Sequence, residues 1–140
     1  SEQELLSEVS RQEFLARYWL TAAERLLSRK NVSASQKYAE RAYELFNKLT
    51  EQYPQNISYL ALLSDSQLLQ AKVLMVLNKA SDAIALCQQA EQRLTDVAAN
   101  NKDPRYSITF IKALDCQGKL ESQPELIALL QQNDVVAFTF

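Results

Sequence analysis

The sequence predicts an all-α fold: a short right-handed stack of three antiparallel helical hairpins, about six helices in all. Three observations carry this expectation. The 140 residues include one Gly and three Pro, and the straight-chained residues and Ala that dominate lose little rotamer freedom in a helix. Apolar residues recur at helical spacing over most of the length. Breakers such as Asn31, Pro54, Asn78, Asn100-Asn101 and Gly118 fall between those periodic runs. A sheet protein needs more turn chemistry than one Gly supplies. The length fits one domain with a core large enough to fold without a metal or a cross-link.

The first helix is expected from about Glu2 to Arg29, with Leu15, Tyr18, Trp19, Ala22 and Leu26 on one face. Lys30-Asn31-Val32 interrupts it. Ser33 with Gln36 fits a capping box and opens a second helix, whose broad apolar face carries Tyr38, Ala39, Ala42, Tyr43, Phe46, Leu49 and Tyr53. Pro54 stops it. A third helix, about Ile57 to Leu77, is apolar on much of its circumference and so belongs near the centre. Asn78 suits a left-handed helix end. Ser81 or Asp82 opens a fourth helix with Ile84, Leu86, Cys87, Ala90, Leu94 and Val97 inward. Asp103-Pro104 is a start signal for a fifth, which Gly118 ends. Ser122 to Glu125 opens a short sixth helix with Leu126, Ile127, Leu129 and Leu130. The hairpins are thus about 2–54, 56–99 and 103–132, followed by an apolar tail, 133–140. Such a chain forms either a closed bundle or a stack of hairpins.

Composition narrows the function. Net charge is −2 with acids and bases interspersed, which is not the clustered basic footprint of a nucleic-acid binder. No apolar run reaches the roughly 18 residues of a membrane span. The chain has no His, so it lacks a His-based triad, general base or zinc site of the usual kind. A Gly-rich phosphate loop is also missing. The expectation is a non-catalytic domain with no metal and no cofactor. Asn31-Val32-Ser33 and Asn56-Ile57-Ser58 match the glycosylation pattern, a frequent chance match. The chain begins at Ser1 without Met, and is expected to be part of a larger protein.

Windows starting at Ala23, Ala71 and Ile111 share a pattern. Leu26, Leu74 and Leu114 take position 4. Leu77 takes 7. Asn78 and Gly118 take 8. Ala42 and Ala90 take 20, Phe46 and Leu94 take 24, and Pro54 takes 32. This resembles the tetratricopeptide repeat, a 34-residue helix–turn–helix. Lys30 at position 8 and Ser33 and Ser81 at 11 depart from it, and the windows are 48 and 40 residues apart. The order AAERLL, AERAYELFNKLTEQYPQN, YLALLSDSQLLQAKVLMVLNKASDAIALCQQAEQRL and DPRYSITFIKALDCQGKLES also resembles the C-terminal helical-repeat region of bacterial membrane-anchored signalling proteins. These include transmembrane Ser/Thr kinases and membrane-tethered winged-helix transcription activators. The likeness rests on patterning, and no kinase or DNA-binding motif is present.

The resemblance implies a concave face lined by the first helix of each hairpin, with positions 2, 5, 9 and 12 facing a partner. Lys72 and Lys112 fall at position 2, Met75 and Asp115 at 5, and Lys79 and Lys119 at 9. A ladder of ammonium groups would attract an acidic peptide, with Met75 an adaptable apolar contact and Asp115 opposing. The alternative is a set of ordinary solvated lysines. Cys87 and Cys116 fall where adjacent hairpins meet; they pair in an oxidising compartment or pack as two small hydrophobes. Tyr18 and Trp19 are either an interface anchor or core of the first helix. The expected function is protein or peptide binding, or sensing, in a bacterial signalling or transcription-regulatory protein. The favoured location is the periplasmic side of the inner membrane, with the cytoplasm as the alternative. A homodimerisation module and a small-molecule sensor are the other readings.

Overall fold

The computed structural model describes residues 1–100 and 104–119, which form five helices and no strand among the described residues. They are α1 (Glu2–Ser28), α2 (Val32–Gln52), α3 (Ile57–Val76), α4 (Ala80–Asn100) and α5 (Pro104–Cys116). The expected sixth helix, the apolar tail and the Asp103 cap lie outside the described residues.

Each helix packs on the next along the chain, and α3 also touches α1 and α5. Cross-helix contacts give the directions. Ser35 donates to the Ala23 carbonyl at 2.7 Å, and Arg41 lies 5.8 Å from the Trp19 ring, so α2 runs back along α1. Gln67 meets Gln89 and Ser64 meets Arg93, so α4 runs back along α3. Ser58 pairs with Tyr106 and Asp65 with Thr109, so α5 runs parallel to α3.

The helix ends explain the turns. Lys30, Asn78 and Gly118 all take positive φ, at 64°, 61° and 71°. The residue after each donates its N–H to the carbonyl of Leu26, Leu74 or Leu114 at 2.8–2.9 Å. This is the left-handed, Schellman-type helix end, repeated three times. It also fixes how the repeat pattern lies on the structure. Position 8 of each window is the turn residue itself, so the windows mark the end of a first helix and not its middle.

Two starts differ from expectation. Asn31, not Ser33, caps α2, its side chain accepting from Ala34 N at 3.4 Å. The Asn lies directly after the α1 end, so the helix starts there and Ser35 is freed to bond across to α1. Asn56 caps α3 in the same way, accepting from Tyr59 N at 3.2 Å; both glycosylation-like triplets are helix starts. α4 begins at Ala80, ahead of Ser81, with the Lys79 carbonyl accepting from Ala83 N.

The core lies in two groups. The first joins α1, α2 and α3 through Ala16, Leu20, Ala23, Ala39, Ala42, Phe46, Leu49, Tyr59, Leu63 and Leu69. The buried face of α1 is therefore Ala16, Leu20 and Ala23, rotated away from the expected Leu15–Tyr18–Leu26 face. Small residues on both helices let the backbones approach, and the large side chains are displaced to the flanks. The second group joins α3, α4 and α5 through Leu68, Ala71, Ala83, Cys87, Ala90, Ala113 and Cys116. Val76 and Leu77 are exposed at the last turn of α3, although the helix is apolar on much of its circumference.

Candidate functional site

Helices α1, α3 and α5 share one open cleft of about 350 Å³, lined by Glu24, Asp65, Leu68, Leu69, Lys72 and Lys112. A smaller hollow of about 130 Å³ adjoins it through Asp65 and adds Arg17, Ser58, Ala61, Leu62, Tyr106 and Thr109. The sequence places these side chains by helical repetition. Ser58, Asp65 and Lys72 are each seven residues apart, as are Arg17 and Glu24, and seven residues bring a helix back nearly to the same face. Glu24, Lys72 and Lys112 also sit six residues before Lys30, Asn78 and Gly118, the turn residues of the three first helices.

The polar floor is built by pairing. Thr109 Oγ1 donates to Asp65 Oδ1 at 3.0 Å, and the Ser58 and Tyr106 hydroxyls share a 3.4 Å hydrogen bond. Arg17 is turned back to Glu13 on its own helix at 3.0 Å. Burial pushes the Asp65 carboxyl up from 3.8 to about 6, against the pull of Lys112 and the Thr109 hydrogen bond, and Glu24 adds to the rise. Burial likewise raises the Glu24 carboxyl, with Lys112 and Lys72 opposing. It lowers the Lys72 ammonium, helped by the like charge of Lys112 and opposed by Glu24. Each charge thus shows the cost of leaving water, and each has an opposite charge nearby.

The structure brings Lys72 and Lys112 into one cleft but not the other expected site residues. Met75 packs against the second core group, because it lies one heptad beyond Leu68 on the stripe facing that group. Lys79 is exposed at the α3–α4 turn. Lys119 reaches Glu91 of α4 at 3.1 Å, where Gln117 also donates to Glu91. Asp115 is partly buried on α5 and does not line the cleft. Glu24 and Asp65 are the cleft residues that sequence reasoning passed over. Glu24 stands at the same register position as Lys72 and Lys112, a signal masked by its opposite sign.

Away from the cleft, Trp19 packs partly against the first core group beneath Arg41. Tyr18 and Phe14, one turn apart on α1, are exposed at 58% and 69%. Cys87 and Cys116 form a disulfide across α4 and α5, with Cα atoms 6.2 Å apart. Among the described residues, no group of three or more His, Cys, Asp or Glu is placed to hold a metal ion, and no helix is long and apolar enough to cross a membrane. In comparisons with family models, curated proteins and solved structures, nothing matches this chain.

Proposed function

We propose that the domain is a non-catalytic docking module, a tetratricopeptide-like stack of hairpins that receives a peptide segment of a partner protein along α1, α3 and α5. The observation that carries this reading is the cleft itself. The first helix of each hairpin contributes a charged side chain from the same register position, Glu24, Lys72 and Lys112, to one open concavity. A surface assembled from repeated elements suits an extended ligand that spans several of them. The thrice-repeated helix end supports the repeat architecture.

The disulfide favours an oxidising compartment. That agrees with a place on the outer side of a bacterial inner membrane, as part of a signalling or transcription-regulatory protein. Selection from a displayed random-peptide library tests the docking reading. Enriched peptides should bind the domain and lose binding when Lys112 becomes Glu. Peptides that bind K112E equally well, or no enrichment, would overturn it. A second reading, self-association, rests on the exposed Phe14 and Tyr18 pair. It requires a mass that rises with concentration and a fall to monomer in F14S/Y18S.

A further inference from the structure

A second surface lies on the solvent side of α1. Glu24 and Arg17 line the cleft and its adjoining hollow. Tyr18 and Arg25 each follow one of them by one residue, so they stand about 100° round the helix. There α1 and α2 form a groove of about 310 Å³, lined by Tyr18, Ala22, Arg25, Leu26, Arg29 and Tyr38 among others. Phe14 extends the same line toward the start of α1. Residues 14, 18, 22, 25 and 29 follow one another at three- and four-residue steps and cover about 22 Å of helix. Phe14 and Tyr18 are exposed at the apolar end. Arg25 and Arg29 are exposed at the basic end, and Arg41 of α2 lies 5.6 Å from the Tyr38 ring. The ion pairs of α1 are made closer to its start, by Ser1 with Glu4, Glu8 with Arg11 and Glu13 with Arg17. Among the described residues none is made by Arg25 or Arg29, and no carboxylate lines the groove.

We infer that this face docks an amphipathic helical segment of a partner protein, apolar at one end of its stripe and acidic at the other. Its apolar side chains meet Phe14, Tyr18 and the half-buried Ala22 and Leu26, and its carboxylates meet Arg25 and Arg29. The inference does not rest on the docking reading of the cleft. Charge complementarity chooses the occupant. Two guanidinium groups one turn apart offer forked donors that match carboxylates, and the groove supplies no acid of its own. The negative end of the α1 dipole favours cations there, but it does not call for exposed aromatic side chains in line with them. Aromatic side chains and Arg together are the residues that anchor protein partners. The three- and four-residue steps are those by which one helix lies along another. A second copy of α1 fits the charges less well. In a parallel pairing it brings its own Arg25 and Arg29 against these. In an antiparallel one it brings Glu4, Glu8 and Glu13, which are already engaged on their own helix.

The test uses dye-labelled Ala/Gln-based helical peptides about 18 residues long, five turns, read by fluorescence anisotropy at low salt. Two acidic probes carry a pair of Leu at one end of the stripe and a pair of Glu at the other, in the two possible chain directions. Control probes replace the Glu pair by Lys or the Leu pair by Ser. One acidic probe should bind at least about fivefold tighter than its Lys and Ser counterparts. R25E/R29E should turn the preference toward the Lys probe. R25Q/R29Q, which places no acid at the end of α1, should abolish it. K112E should change none of this, which separates the face from the cleft. The inference is overturned if neither acidic probe binds, if the Lys or Ser probe binds as tightly, if R25Q/R29Q keeps the preference, or if K112E removes it. A mass that rises with concentration in the native domain but not in R25Q/R29Q would also overturn it, by giving the face to a second copy. So would retention on phosphatidylserine but not phosphatidylcholine vesicles with no preference among the peptides, by giving it to a membrane surface.

Discussion

The two ends of the helical domain hold their helices together by different means. Between α1 and α2 the joint is apolar. Ala16, Ala23, Ala39 and Ala42 are fully buried and bring the helices close, and Phe46 and Leu49 fill the space beside them. One buried hydrogen bond, Ser35 to Ala23, crosses it. Between α3, α4 and α5 the joint is mixed. Gln67, 1% exposed, donates to Gln89 and accepts from Arg93, while Arg93 also reaches Ser64 and Tyr43. The Cys87–Cys116 bond then ties α5 to α4. Apolar packing tolerates repacking but not loss of volume. A polar network with a covalent tie fixes position and is sensitive to chemistry instead. The cleft is lined from α1 on one side and from α3 and α5 on the other, so each joint holds part of its wall.

The largest effect should follow from removing volume at the apolar joint. Phe46 is fully buried, and Phe46→Ala should cost about 3–5 kcal/mol, read as a lower urea midpoint. Hydrogen exchange should rise first in α1 and α2. A loss below about 1 kcal/mol would mean that the joint collapses around the hole.

Reduction of the disulfide, or Cys116→Ala, attacks the other joint. The bond closes a loop with a sequence separation of 29, for which the chain-entropy argument gives roughly 3–4 kcal/mol. Exchange should rise mainly in α4 and α5. If both perturbations raise exchange uniformly over all five helices, the two joints belong to one cooperative unit and the contrast between them has no energetic meaning.

Next comes Asp65, at the floor of the cleft between the joints. Its folded value near 6 lies above the ordinary 3.8, so the folded state holds the proton more tightly than the unfolded one. The penalty for burying the carboxylate is absent below about pH 4 and complete above about pH 6. Native stability should therefore fall as pH rises through that window. Asp65→Asn keeps an oxygen to accept from Thr109 and removes the charge. It should be more stable than the native chain at pH 8, by on the order of 2 kcal/mol after allowing for solvent screening, and equal to it near pH 4. Urea midpoints of both proteins at the two pH values decide this. An Asn variant weaker at pH 8 would show that Asp65 is held mainly by Lys112.

These residues also show what could be read from sequence. Helix positions were legible because apolar periodicity and the turn residues Lys30, Asn78 and Gly118 are local signals. The start of α2 was not, because two capping patterns overlap at Asn31 and Ser33 and only packing of Ser35 against α1 decides between them. Lys72 and Lys112 were legible as a pair through their shared register. Glu24 occupied that register too, but a search for cations passes over it. Asp65 looked like one more carboxylate on a helix surface. Its distinction is depth, which arises only when α1, α3 and α5 close around it. The face of α1 was misjudged because hydrophobicity favours Tyr18 and Leu26, whereas close approach favours Ala16 and Ala23.

The smallest effect concerns the turns that the hairpins share. Lys30, Asn78 and Gly118 adopt nearly the same left-handed conformation, but their side chains do not suit it equally. Gly accepts it freely, Asn tolerates it, and Lys bears the full clash of Cβ with its own backbone. Lys30 is exposed, so Lys30→Gly should remove strain without losing packing and stabilise the first hairpin by about 0.5–1 kcal/mol, net of the extra freedom Gly gains on unfolding. The reverse exchange isolates the backbone contribution. A Cβ built on Gly118 meets nothing within 4 Å, so Gly118→Ala should lose about 1 kcal/mol from φ alone. Gains and losses of opposite sign at these two turns, measured by thermal melting, would tie both to one conformational cause. A Lys30→Gly variant that melts lower would mean that the Lys30 side chain contributes contacts outweighing its strain.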